Sequence, residues 1–329
     1  MREDTKTPET ESRTLSIKQL KAFHKGEPKT LGEAADTKGV SGSEDELPKS
    51  ITGHFAGCQD DQTKVSCSLE NNRFLLFGHE NGKEGTEITL KRASFCPFKY
   101  LTSSEAATLP EDVLSRGVDV GVAVLLQSVN KKVLLTRRAA NLRIFPNVWV
   151  PPGGHVELDE RLIDAGLREL REETGLQLDP EEVSSQLLGL WESVYPPMLS
   201  RGPPQRHHIV TYMLLHTSLT HLQLQADLHP EPAEVSGCAW VDADLVRAIV
   251  SAVDGEADAL ALPASLPQSV SVSEVSHDGR LSESVLPVSV LCNRAPAEGE
   301  DVERVSTGTK FALELWLKTL ESQRQATDK

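Results

Sequence analysis

The sequence predicts an α/β protein, and three observations predict it. Residues 118–129 form an almost unbroken apolar, β-branched run, as a strand buried on both faces requires. Shorter strand-like stretches recur at 187–194, 209–215 and 238–241. Amphipathic helical patterns stand among them at 159–175 and 243–253, so strands and helices alternate.

Each element has a local reason. Residues 1–50 are rich in Lys, Glu, Ser, Thr and Gly and poor in large apolar groups. They cannot bury enough surface to offset chain entropy, so a disordered leader is expected, with one helical stretch at 14–24. A β-containing region is expected at 51–116. In it, 64–69 and 73–77 flank Glu70-Asn71-Asn72, the pattern of a hairpin. Residues 94–98 make a compact apolar knot at the edge of the folded part. The main domain is expected at 117–253. After the strand at 118–129, Asn130-Lys131 turns the chain into 132–136. Trp149-Val150 leads into Pro151-Pro152-Gly153-Gly154, a rigid bend followed by a flexible one. The helix at 159–175 has Asp159 as its expected N-cap and Gly175 just past its end. Residues 254–329 are expected to be a linker and a C-terminal extension. The linker, 254–268, is rich in Ala, Pro, Gly and acidic residues. It is followed by β-leaning stretches at 270–275 and 285–291 and by a helix at 310–320. Phe311 and Leu315, flanked by Leu313 and Leu317, give that helix an apolar face expected to dock on the main domain.

Composition narrows the function. The 329 residues carry 34 Lys+Arg against 49 Asp+Glu, a formal net charge of −15. A surface that coats nucleic acid needs many cations to replace counterions, so no extended nucleic-acid surface is expected. A phosphate-rich ligand would need a local basic patch or bound metal ions. No apolar run is long enough to span a bilayer, and the first residues are charged, so neither membrane insertion nor secretion is expected. The five cysteines, Cys58, Cys67, Cys96, Cys238 and Cys292, are scattered and never spaced as CxxC. That excludes a disulfide framework or cysteine zinc site and suits the cytoplasm or nucleus.

The chemistry concentrates in Gly154–Leu176, GHVELDERLIDAGLRELREETGL. Glu169, Glu172 and Glu173 stand at i, i+3 and i+4 and share one helical face. Like charges so placed destabilise a helix by roughly a few tenths of a kcal/mol per pair, a penalty that a divalent cation removes. Hard oxygen ligands suit Mg²⁺ or Mn²⁺. Ile163, Leu167 and Leu170 form the opposite, apolar face, expected to pack on a sheet.

Gly154, Glu160, Arg168-Glu169-Leu170, Glu172-Glu173 and Gly175-Leu176 fill every fixed position of the Nudix box, and the chain resembles the Nudix hydrolases. A chance match is on the order of 10⁻⁶. The resemblance implies an α/β/α sandwich with a mixed sheet, joined by the N-terminal β-hairpin region and the C-terminal helical extension. It implies that Glu169 and Glu173 are the principal metal ligands, with Glu172 a further one. Gly154 is implied to offer its carbonyl, and Glu157 to sit where an additional acidic ligand is common. Glu160 is implied to pair with Arg168 and fix the loop. The implied reaction is attack by water on a nucleoside diphosphate linked to another moiety. Glu172 and Glu234 are both candidates for the general base.

The box does not choose the substrate. Residues 134–143, with Arg137, Arg138 and Arg143, resemble the signature preceding the box in coenzyme A pyrophosphatases, although Asn147 and Pro151 depart from it. Residues 67–73, 95–98, 116–128, 134–142, 146–158, 189–197, 207–210 and 303–317 resemble animal Nudix enzymes that act on methylated mRNA caps. That likeness implies 7-methyl-GDP as product and a nucleotide or capped RNA 5′ end as the bound partner. A methylated guanine is cationic and flat, favouring an aromatic face with an acidic edge. Trp191 and Glu192, with Tyr195 nearby, are the candidates for that role. Arg137, Arg138, Arg143 and Arg206-His207-His208 are candidates for holding the phosphates or RNA. Coenzyme A hydrolysis and an idle nucleotide-binding scaffold stay open as alternatives.

Overall fold

A computed structural model of the protein describes residues 14–18, 50–55, 60–78, 86–255 and 263–327. From the N-terminus come β1 (Thr14–Lys18), α1 (Ile51–Phe55), the hairpin β2 (Gln62–Glu70) and β3 (Arg73–Gly78), and β4 (Ile88–Arg92). Three one-turn helices, α2 (Pro97–Tyr100), α3 (Ser103–Ala106) and α4 (Glu111–Leu114), lead to β5 (Asp119–Gln127) and β6 (Val133–Arg138). Then follow β7 (Val148–Val150), β8 (Gly153–His155), α5 (Leu162–Thr174), β9 (Ser184–Tyr195) and β10 (Arg206–His216). Next are α6 (His221–Ala226), β11 (Val235–Val241) and α7 (Ala243–Ser251). The C-terminal part adds β12 (Ser269–Val275), β13 (Leu281–Pro287), α8 (Val288–Leu291), β14 (Arg304–Val305) and α9 (Thr307–Thr327).

Among the described residues all strands join one sheet, ordered β1-β3-β2-β4-β9-β10-β5-β6-β11-β12-β13, with β8 beside β5 and β7 between β6 and β14. The pairs β10/β5, β4/β9 and β14/β7 are parallel and their neighbours antiparallel, so the sheet is mixed. It runs unbroken through the expected boundaries at 116/117 and 253/254.

Successive residues of β5 point to opposite faces and serve two apolar layers. Val122 and Val124 pack toward Ala165 and Leu170 of α5. Ala123 and Leu125 pack toward Val246 and Ile249 of α7 and Leu313 and Trp316 of α9. The sheet is thus covered by α5 on one face and by α7 and α9 on the other. The Trp316 indole N–H donates to Gln127 Oε1 at 2.7 Å, which fixes α9 on the central strand. The C-terminal helix therefore docks, as its apolar face predicts, and it is longer than its sequence pattern indicates.

Four expectations are corrected. Thr14–Lys18 is a strand paired with β3, not part of a helix or of a disordered leader. Its alternation and the unpaired edge of β3 decide this; the rest of 1–49 lies outside the described residues. Asp159 is not the helix N-cap. It takes a left-handed conformation (φ 63°), and its N–H donates to Asn72 Oδ1 at 2.7 Å, so the tip of the β2–β3 hairpin holds it one turn before the helix begins. Arg161 occupies the cap position without capping the helix backbone; its guanidinium pairs with Asp164 instead. Residues 285–291 are not one strand. Pro287 lacks the N–H a ladder needs, and the chain turns into α8. Asp254 is no linker residue: it is 6% exposed and accepts from Lys310 Nζ and Thr307 Oγ1, both at 2.7 Å. The central part of that linker, 256–262, lies outside the described residues.

One irregularity positions the site. β5 and β6 pair only at Gln127 and Val133, and upstream they splay. β8 takes the edge of β5 and β7 the edge of β6, so the Pro151–Gly154 bend bridges the opening.

Candidate active site

The opening is where α5 delivers its carboxylates. The first turn of α5 is free of β-branched crowding except at Ile163, and Gly175 ends the helix in the left-handed conformation (φ 76°). Leu170 is fully buried, with Ile163 and Leu167 packed beside it, so the apolar face rests on the sheet as expected. That docking turns Glu169 and Glu173 toward the bend.

Arg168 organises the loop. Its Nε and Nη2 donate to the two carboxylate oxygens of Glu160 at 2.7 and 3.0 Å. Nη2 also donates to the His155 carbonyl at 2.9 Å, and Nη1 to Glu169 Oε1 at 2.7 Å. This bidentate clamp holds the Glu160 carboxyl below its ordinary range. The Glu157 N–H donates to Glu160 Oε2 at 3.0 Å, while the Glu157 side chain stays exposed. Gly154 lies so close to Glu169 that a Cβ there would stand 2.5 Å from the carboxylate.

Glu173 is the electrostatic centre. It is 6% exposed and accepts a hydrogen bond from the Gly153 N–H. Burial, joined by the charges of Glu169 and Glu234, pushes its carboxyl up to about 8 against the pull of Arg138. Burial also raises Glu169, opposed by Arg168. Carboxylates gathered here without enough positive charge are what a divalent cation would neutralise, and the residues present therefore fit one. Glu172 is set apart, with its side chain 47% exposed and 3.4 Å from Arg168 Nη1.

Beside the carboxylates lies a cavity of about 260 Å³ on the α9 face of the sheet. Gly153 and Gly154 belong to its wall, as do Arg138, Phe95, Phe145, Trp191 and Tyr212. Arg138 Nε donates to the carbonyls of Ile144 and Phe145, which fixes the loop that presents Phe145. The start of α9 closes one end. Gly308 packs so tightly that a Cβ would lie 2.7 Å from Tyr212 Oη and 2.8 Å from Trp191 Cδ1. No helix among the described residues is long and apolar enough to cross a membrane. Among the described residues Cys67, Cys96, Cys238 and Cys292 are free thiols.

Two candidates for substrate contact have other duties. Glu192 is buried and accepts from Ser50 Oγ, Ile51 N–H and Thr52 N–H at 2.8 Å and from His207 Nε2 at 2.9 Å. Burial alone would raise it, but the bonds from His207 and Thr52 hold it at about 2. All its acceptor sites are taken, so it ties the N-terminal segment to β9 instead of offering an edge to a base. Arg137 points away from the opening: it pairs with Glu274, donates to Glu303 at 3.2 Å and to Ser236 at 2.9 Å, and stacks 5.5 Å over Trp149. Trp191 does line the cavity, with its ring 5.6 Å from that of Phe311 and only 6% of its surface exposed. Tyr195 meets Phe145 edge-on at 5.0 Å. Sequence reading missed Phe145, Tyr212 and Ser306 as cavity residues. No motif marks them, because three separate elements bring them together.

The sequence model of the NUDIX domain family matches residues 116–261. The chain is 72% identical over 273 residues to the m7GpppN-mRNA hydrolase NUDT17 of Danio rerio, covering 83% of this chain and 90% of that one. It is 49% identical over 259 residues to the protein of the same name from Homo sapiens, covering 78% of each. Among solved structures it is similar to the MutT protein from Methanosarcina mazei Go1, at 23% identity over 39% of this chain and 80% of that one, with a TM-score of 0.30.

Proposed function

The chain belongs to the Nudix hydrolase family, and on that premise we propose that it hydrolyses the polyphosphate bridge of methylated mRNA caps, releasing 7-methyl-GDP. The observation that carries this reading is that the α5 carboxylates and the aromatic cavity share one wall, Gly153-Gly154. A base lodged in the cavity therefore leaves its phosphates beside Glu169 and Glu173.

Glu169 and Glu173, with Glu172 and the Gly154 carbonyl, would hold Mg²⁺ or Mn²⁺, since every donor is a hard oxygen. Glu157 is a further ligand only if its exposed side chain turns inward. Bound ions of this kind polarise phosphoryl oxygens, acidify water and neutralise the leaving phosphate. The protein's own groups do the rest. Arg168 and Glu160 fix Glu169 and the His155 carbonyl in register. Glu234 acts on the charges of Glu169, Glu173 and Arg138, so we assign it, ahead of exposed Glu172, the proton of the attacking water. Arg138 supplies positive charge at the phosphate end. Phe95, Phe145 and Trp191 give the cavity the aromatic lining a cationic guanine favours. The volume, near the lower end of small-molecule sites, suits one nucleoside of the cap rather than the transcript body. We place the activity where capped RNA occurs, in the cytoplasm or nucleus.

The test is a substrate panel with Mg²⁺ or Mn²⁺: methylated capped RNA, unmethylated capped RNA, coenzyme A and diadenosine polyphosphates. Methylated capped RNA is expected to be cleaved fastest, with 7-methyl-GDP as product. Coenzyme A as the best substrate by a wide margin would overturn the reading, and turnover of none would favour a scaffold.

A further inference from the structure

We propose that Asp119, His155 and His208 form a second cation site, separate from the α5 carboxylates, that takes a borderline divalent ion such as Zn²⁺. The three residues are distant in sequence, and strand register brings them together. His208 of β10 lies opposite Asp119 of β5 in the parallel ladder. His155 of β8 lies opposite Gly121, two residues along β5 from Asp119, on its other side. Since side chains alternate along a strand, all three project from one face of three adjacent strands. One ligand atom from each lies within 4.8 Å of the other two, and the imidazole rings are 5.7 Å apart.

A second, independent observation concerns Asp119. It is 7% exposed, and its Oδ2 accepts no hydrogen bond. A buried carboxylate oxygen left this way is costly unless something supplies positive charge. His208 Nε2 stands 3.6 Å from it and Arg206 Nη1 3.9 Å, both beyond good hydrogen-bond length. A cation between Asp119 and the two rings would satisfy the oxygen directly, and Arg206, 30% exposed, has solvent to turn into. Two imidazoles and one carboxylate are the donors of a three-ligand site that keeps a coordination position open. His155 and His208 also line the cavity, so the open position adjoins the place where the substrate would lie. The nitrogen donors distinguish it from the all-oxygen set on α5, which favours Mg²⁺ or Mn²⁺.

Metal binding to the full chain tests this, with Co²⁺ as a visible probe and Zn²⁺ as competitor, in excess Mg²⁺. Wild type and Glu173→Gln should each bind one Co²⁺ per chain, with absorption characteristic of nitrogen ligation that Zn²⁺ abolishes. His208→Gln and His155→Gln should each weaken that binding at least 100-fold. Circular dichroism of these variants, matched to wild type, separates a lost ligand from a lost fold, and Asp119→Asn supplies a third variant close in shape. The proposal is overturned if wild type binds no Co²⁺ beyond what Glu173→Gln removes, or if folded His155→Gln and His208→Gln keep wild-type affinity.

Discussion

Gly154 faces Glu169 with no room for a side chain between them: a Cβ on Gly154 would stand 2.5 Å from both carboxylate oxygens. The glycine therefore sets where the Glu169 carboxylate rests. Gly154→Ala is expected to push that carboxylate aside and lower kcat by about 10- to 100-fold, the usual effect of disturbing what orients a metal ligand. Steady-state kinetics with a capped oligonucleotide would check it; an unchanged kcat would contradict the proposed role of Glu169.

Glu173 links the site to pH. Its folded carboxyl is raised to about 8, above its ordinary value near 4.5. Between those values the metal-free fold keeps a proton that the unfolded chain releases, so its stability should fall as pH rises from about 4.5 to 8, by at most about 1.4 kcal/mol per pH unit. Glu173→Gln should flatten that slope and abolish hydrolysis while leaving the circular dichroism unchanged. Denaturant melts in a chelator, from pH 5 to 8.5, would reveal either outcome.

Mg²⁺ or Mn²⁺ requires the ionised carboxylates. The rise in Tm on adding either ion should therefore grow with pH over the same window and vanish in Glu173→Gln. Equal shifts at pH 5.5 and 8 would argue against Glu173 as a ligand.

Glu192 is expected to act on stability rather than on cap selection. Its four donors would lose their charged partner in Glu192→Gln, at a cost of about 2–4 kcal/mol. Because its folded carboxyl is depressed to about 2, its contribution is present above about 4.5 and is lost as pH falls toward 2. The preference for methylated over unmethylated caps should not change in the surviving fold. A selective loss for the methylated cap would restore Glu192 as a base-reading residue.

Gly308 lets α9 approach Trp191 and Tyr212. Gly308→Ala should displace the start of α9, raise KM for capped substrate and lower stability by about 1–3 kcal/mol. Comparison of KM with kcat separates cavity distortion from damage at α5.

The box was legible because its logic is local. Gly154, Glu160, Arg168, Glu169 and Glu173 lie within one loop and one helix, so spacing alone fixes which groups share a face. The hairpin at 62–78, the buried strand β5 and the docking of α9 were legible for the same reason: apolar periodicity and turn chemistry are written in neighbouring residues.

From sequence alone came the reaction class and the carboxylates that share one face of α5. Sequence could not decide which charges face the site. Arg137 and Arg138 are adjacent, yet strand alternation sends one to Glu274 and Glu303 and the other to the cavity. Glu192 reads as a free acid beside an aromatic, yet the start of α1 closes over it. Asp119, His155 and His208 meet only because β8, β5 and β10 pair in one register. Burial and partner choice for a charged group depend on what the sheet and its covering helices bring beside it, and that is settled by long-range packing, not by spacing along the chain.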